Sequence, residues 1–107
     1  MKSDKRTRLE RAGWAVGDAA DFLGLTPVQQ RFVELKLALA RGVRQMRERR
    51  GLTQTALAKR LGSSQSRVAK IEAADKTVSL DLLMRSLLSI GATPKDIGNL
   101  IEAAGAA

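Results

Sequence analysis

Residues 54–72 read QTALAKRLGSSQSRVAKIE, a pattern of two short helices joined by a tight turn. Thr53 stands as an N-cap ahead of Leu57, Ala58 and Leu61, which fall on one helical face. Gly62 follows at once, and a glycine there takes the positive φ that ends a helix and turns the chain sharply. Ser63 and Ser64 offer a fresh cap, and Val68 and Ile71, three apart, form the inward face of a second helix. Its outward face carries Gln65, Ser66, Arg67, Ala69 and Lys70. Hydrogen-bonding groups and cations with one small spacer make a poor core and a good lining for a DNA groove.

Outward from this stretch, helices are expected on both sides. Upstream, Thr26-Pro27-Val28-Gln29 is a capping box with proline at the first helical position. From there to Arg50 apolar residues recur at Phe32, Leu35, Leu39, Val43 and Met46. Only Gly42 weakens the run, at about 1 kcal/mol relative to Ala, which need not stop a helix. A helix over 27–50 would span about 36 Å. Gly51 ends it, and Leu52 is expected to tuck into the core. Downstream, 73–78 reads as a connecting loop. Ser79 then caps a fourth helix, with Asp81 in its first turn and a wide stripe of Leu80, Leu83, Met84, Leu87, Leu88 and Ile90. Gly91 stops it. Thr93-Pro94-Lys95-Asp96 opens a fifth helix bearing Ile97, Leu100 and Ile101, with Gly105 as its expected end. No strand-like alternation of any length occurs, so the fold class is all-α, with five helices over 26–107.

Residues 1–25 form a separate N-terminal extension. The first eleven, MKSDKRTRLER, are mostly charged and read either as a free terminus or as a basic arm along DNA. Residues 12–25 include Trp14, Phe22 and Leu23, too apolar for a free tail, while Gly13, Gly17 and Gly24 break any long helix. A short helical turn around Asp18–Leu23 fits. This segment either packs back on the domain or offers Trp14, Phe22 and Leu23 to a partner protein.

Composition narrows the chemistry. The chain has 107 residues, no cysteine, no histidine and no tyrosine. Disulfides, thiolate metal sites and every Ser-His-Asp or Cys-His arrangement are therefore excluded, and a reducing, cytoplasmic setting is expected. The acidic residues form no recognisable paired or metal-binding cluster, so neither an enzyme, a metal site nor a cofactor is expected. No apolar run approaches the roughly 18 residues of a membrane span, and no hydrophobic signal core opens the chain. The net charge is +8, and it is unevenly placed. Residues 41–76 hold ten basic and three acidic groups, +7, against +2 before them and −1 after. A polyanion is the simplest partner for that excess.

The 54–72 stretch resembles the helix-turn-helix of the Cro/Xre phage-repressor family. The matching features are Gln54 opening the first helix, small Ala58 at its fifth position, Gly62 in the turn, and aliphatic Val68 and Ile71 in the second helix. Arg47 and Glu72 match an Arg–Glu pair that the family often forms between the preceding helix and the recognition helix. The resemblance covers roughly residues 39 to 103. It implies a lambda-repressor-like five-helix domain that binds double-stranded DNA. The long first helix departs from it, since the family's usual first helix corresponds only to the later half here.

That geometry would put the second helix in the major groove. Gln65, Ser66 and Lys70 share one face as base contacts, with Arg67 a fourth candidate that by family position points toward the backbone. Gln54 and Ser64 are phosphate contacts by resemblance, and the run from Arg41, including Arg44 and Arg50, would add further phosphate neutralisation. One motif reads too few bases alone, so a homodimer is expected, joined through the fifth helix or the long first helix. The sequence thus reads as a transcriptional regulator, a repressor that plausibly controls its own promoter. The alternative is an antitoxin resembling the HigA-like type, neutralising a ribonuclease toxin through residues 12–40.

Overall fold

The computed structural model describes residues 24–106. Five helices follow one another: α1 Pro27–Arg49, α2 Gln54–Leu61, α3 Gln65–Glu72, α4 Leu80–Ile90 and α5 Pro94–Ala106. No strand occurs among the described residues, and the fold is all-α. The expectations placed on residues 1–23, including the helical turn around Asp18–Leu23 and the surface of Trp14, Phe22 and Leu23, lie outside the described residues. The chain divides between Glu34 and Leu35, and the unit Leu35–Ala107 holds the core.

Each helix starts where a side chain can satisfy the exposed amides of its first turn. At α1, the Gln29 amide N–H donates to Thr26 Oγ1 at 3.1 Å, while Gln29 Oε1 accepts from the Thr26 N–H at 2.8 Å. Thr93 and Asp96 repeat that reciprocal box at α5. Its hydrogen bonds hold the Asp96 carboxyl below its ordinary range, with Arg49 and Arg50 adding to the effect. Thr53, Ser64 and Ser79 cap α2, α3 and α4 with their hydroxyls.

The helix ends share one geometry. Just past α1, α2 and α4 an amide donates back to a carbonyl five residues earlier: Leu52 to Arg47, Ser63 to Ala58 and Ala92 to Leu87. The residue immediately before each donor is left-handed Gly51, Gly62 or Gly91. Helix α3 ends the same way, with Asp75 donating to Lys70 and Ala74 to Ile71. Its left-handed residue is Ala74, at φ 54, the one non-glycine with positive φ among the described residues. A methyl group there crowds the following carbonyl, at roughly 1–2 kcal/mol.

Gly42 does not interrupt α1. A Cβ built on it would stand 2.4 Å from a Leu100 methyl of α5. The helix-propensity cost of glycine is therefore exchanged for close approach between these two helices. The core gathers Leu39, Ala40 and Val43 from α1, Leu57 and Ala58 from α2, Val68 and Ile71 from α3, Leu83, Leu87 and Ile90 from α4, and Ile97 from α5. Burying each large aliphatic contributes about 1.5–3 kcal/mol. Ser86, fully buried, donates its hydroxyl to the Leu82 carbonyl at 2.7 Å.

Five details depart from the sequence reading. Val78, placed in a loop, is a core residue at 2% exposure. Leu88, placed in the buried stripe, and Ile101, placed inward, are both exposed, because α4 and α5 each turn a narrower face to the core. Leu52 is only half-buried and is held through its carbonyl. Helix α5 continues through Gly105 to Ala106, since that glycine is not left-handed.

The strain at Ala74 gives a test. Ala74→Gly is expected to raise unfolding free energy by about 1 kcal/mol, the left-handed penalty less a small entropy and packing loss. Urea denaturation of the two proteins measures it.

Candidate nucleic-acid interface

Helices α2 and α3 have eight residues each and are linked by Gly62, Ser63 and Ser64. At 100° per residue, Gln65, Ser66, Ala69 and Lys70 occupy one side of α3, and Val68 and Ile71 the other. The burial follows that division. Val68 and Ile71 are fully buried, Gln65, Ser66 and Lys70 are exposed, and Ala69 is half-buried. Arg67 falls beside Ile71 on this wheel and is half-buried, which sets it apart from the other three.

The angle between the two helices is held from behind. Arg47, late in α1, directs Nε and one terminal nitrogen to the two carboxylate oxygens of Glu72 at the end of α3. Its other terminal nitrogen donates to the Leu52 carbonyl at 2.8 Å. The two side chains are 12% and 5% exposed. The hydrogen bond to Glu72 raises the Arg47 pKa above the ordinary guanidinium value against an opposing desolvation. The pair expected from the sequence is therefore present, and the fork geometry suits Arg where Lys would make a single bond.

A second set of bonds leads from this pair to the exposed face. Gln54 Nε2, in the first turn of α2, donates to Glu72 Oε1 at 3.1 Å. Gln54 Oε1 in turn accepts from Gln65 Nε2 at 2.6 Å. A residue expected at phosphate and a residue expected at a base edge are thus joined to each other and to the buried pair. The sequence reading did not connect them. The available signal was the seven-residue separation of Gln65 and Glu72, which returns to nearly the same side of a helix.

The other expected contacts are placed as follows. Ser64 Oγ accepts from the Arg67 amide at 3.2 Å and lies 3.2 Å from Ser66 Oγ. Arg44 is exposed and pairs with Glu48 at 3.6 Å, a surface pair worth at most about 1 kcal/mol and easily given up to a stronger anion. Arg50 is different. Its guanidinium lies over Gly91, 3.2 Å from where a Cβ would be, at the turn between α4 and α5.

The buried pair gives a second test. Arg47→Ala and Glu72→Ala are each expected to cost roughly 3–5 kcal/mol, because each strands a buried charge. The double variant should cost clearly less than their sum, as read from a double-mutant cycle in urea.

No curated protein and no solved structure matches the chain. The family model described as "Helix-turn-helix domain" matches residues 38–106, well over half of the sequence and every helix from the middle of α1 onward. No described helix is long and apolar enough to cross a membrane. A helix-turn-helix places its second helix in the major groove while the first crosses the backbone, and α3 and α2 stand in those two positions. The chain belongs to the helix-turn-helix domain family, of the Cro/Xre-like kind.

Proposed function

We propose that the chain is a sequence-specific transcriptional regulator, a repressor that reads the major groove as a homodimer and acts by binding, without catalysis or cofactor. The observation that carries this reading is the exposed polar side of α3, opposite a fully buried apolar one, on a helix pair braced by Arg47 and Glu72. The excess of basic over acidic groups in residues 41–76 supplies the electrostatic attraction. Gln65, Ser66 and Lys70 contact base edges in this reading, and half-buried Arg67 turns to the backbone. Gln54, Ser64 and Arg44 meet phosphates, as does Arg50 if it leaves Gly91. Two copies would read half-sites about 34–36 Å apart.

Fluorescence anisotropy on DNA from upstream of its own gene, against scrambled DNA, tests the proposal. Wild type is expected to prefer the native fragment by about a thousandfold or more. A Gln65→Ala, Lys70→Ala double variant should lose most of that margin. Arg44→Ala should instead weaken both DNAs alike and flatten the salt dependence by about one phosphate. Equal, weak binding to both fragments by wild type overturns the reading.

One observation favours a second role. Val28 and Phe32, four apart on α1, are 78% and 47% exposed. Apolar groups so placed suit a protein partner, and in the antitoxin reading that partner is a ribonuclease toxin held by residues 12–40. A Val28→Ser, Phe32→Ser variant should then retain DNA binding while failing to neutralise the toxin in a growth-rescue assay. Unchanged rescue removes these two residues from the partner surface.

A further inference from the structure

The apolar stripe of α1 does not stop where the core stops. Val28, Phe32, Leu35 and Leu39 recur at spacings of four, three and four. At 100° per residue they fall within about 60° of one another on the helix. Exposure grades along that line: Leu39 is 3% exposed, Leu35 half-buried, and Phe32 and Val28 are 47% and 78% exposed. Spacing of this kind suits a helix that lies against another helix. Its first two positions present that seam to solvent.

What borders the stripe decides what fits it. Arg31 and Lys36 stand about 70° to either side of its midline, and both are cations. Glu34, the only carboxylate in residues 27–39, sits farther round the helix. Its two oxygens accept from Gln30 Nε2 at 3.4 Å and from Arg31 at 3.3 Å. The Arg31 side chain is 73% exposed, so this is a surface pair that yields readily to a carboxylate brought from outside. A second copy laid along the stripe would bring cation to cation. In parallel, Arg31 of each copy would meet Lys36 of the other. In the antiparallel arrangement Arg31 would border Arg31, and Lys36 would border Lys36. Flanking charges of one sign select against self-pairing.

We infer that this face of α1 receives an amphipathic helix of a partner protein, whose own apolar stripe is bordered by aspartates or glutamates. The inference rests on the protein-partner role proposed above for Val28 and Phe32, and it names the chemistry of that partner. Apolar groups of the incoming helix cover Val28 and Phe32, while its carboxylates meet Arg31 and Lys36. The net charge of +8 draws an acidic partner from a distance. The same two cations keep this end of α1 from serving as the seam of the homodimer, which joins elsewhere.

The test titrates the full chain into two fluorescein-labelled synthetic helices of about three heptads, read by anisotropy. Both carry leucine at the a and d positions, and either glutamate or lysine at e and g. Wild type is expected to bind the glutamate helix about tenfold or more tighter than the lysine helix. Val28→Ser, Phe32→Ser should weaken the glutamate helix by about tenfold or more. Arg31→Glu, Lys36→Glu should reverse the preference. Arg85→Glu, Lys95→Glu changes the net charge equally at exposed positions of α4 and α5, and should keep the preference within about twofold. A preference that this control also reverses belongs to net charge alone and overturns the inference. Equal binding of both helices, lost in Val28→Ser, Phe32→Ser, overturns the acidic partner and leaves the docking role standing. No binding, or binding that ignores Val28→Ser, Phe32→Ser, overturns both. Two other occupants have their own signatures, and either overturns the inference. A second copy is shown by a dimer in sedimentation that Val28→Ser, Phe32→Ser makes monomeric. The chain's own residues 18–23 are shown by a glutamate helix that binds only after Asp18→Asn, Asp21→Asn.

Discussion

The structure depends most on one ion pair. Arg47 and Glu72 are 25 residues apart in sequence, and they join the end of α1 to the end of α3. The same guanidinium holds the Leu52 carbonyl, and so the turn that delivers α2. Three segments are thus tied to one planar group. Hydrophobic burial holds the helices together, yet aliphatic contacts fix no single angle between them. Directional bonds from a rigid fork do, and that is the strongest case for a largely buried charge pair whose net worth in stability is small.

Around that pair the chain solves the same problem repeatedly, how to end one helix and begin the next within a few residues. Hydroxyl caps at Thr53, Ser64 and Ser79 and reciprocal boxes at Thr26 and Thr93 satisfy the starts. Left-handed residues satisfy the ends. Short connections leave α2 and α3 little freedom to change their mutual angle. Gly42 adds a constraint of another kind, since the missing side chain on α1 is occupied by Leu100 of α5.

Much of this was legible in the sequence because it is written in local chemistry. Capping residues, terminal glycines and three-to-four spacing located five helices to within about two residues at each end. The match to residues 38–106 agrees with the roughly 39 to 103 over which the family pattern could be read. Arg47 and Glu72 could be paired only through that resemblance, since nothing local links them. What escaped was non-local or disguised. Ala74 performs a glycine's task without a glycine's signature. Val78 lies in a loop and is nonetheless buried, because the chain re-enters the core there before α4. The exposure of Leu88 and Ile101 depends on how α4 and α5 are rotated, which periodicity leaves open for a wide stripe. Gln54 joins Gln65 to Glu72 only once α2 and α3 are docked.

The paired caps at both ends of α3 have a thermodynamic consequence. A helix of eight residues would be mostly unfolded by itself, but this one is closed at its start by Ser64 and at its end by Ala74 and Asp75. A surface already ordered has little conformational entropy left to lose on docking. Its association should proceed close to rigid-body encounter, with a heat-capacity change set by the apolar area covered and no added contribution from folding.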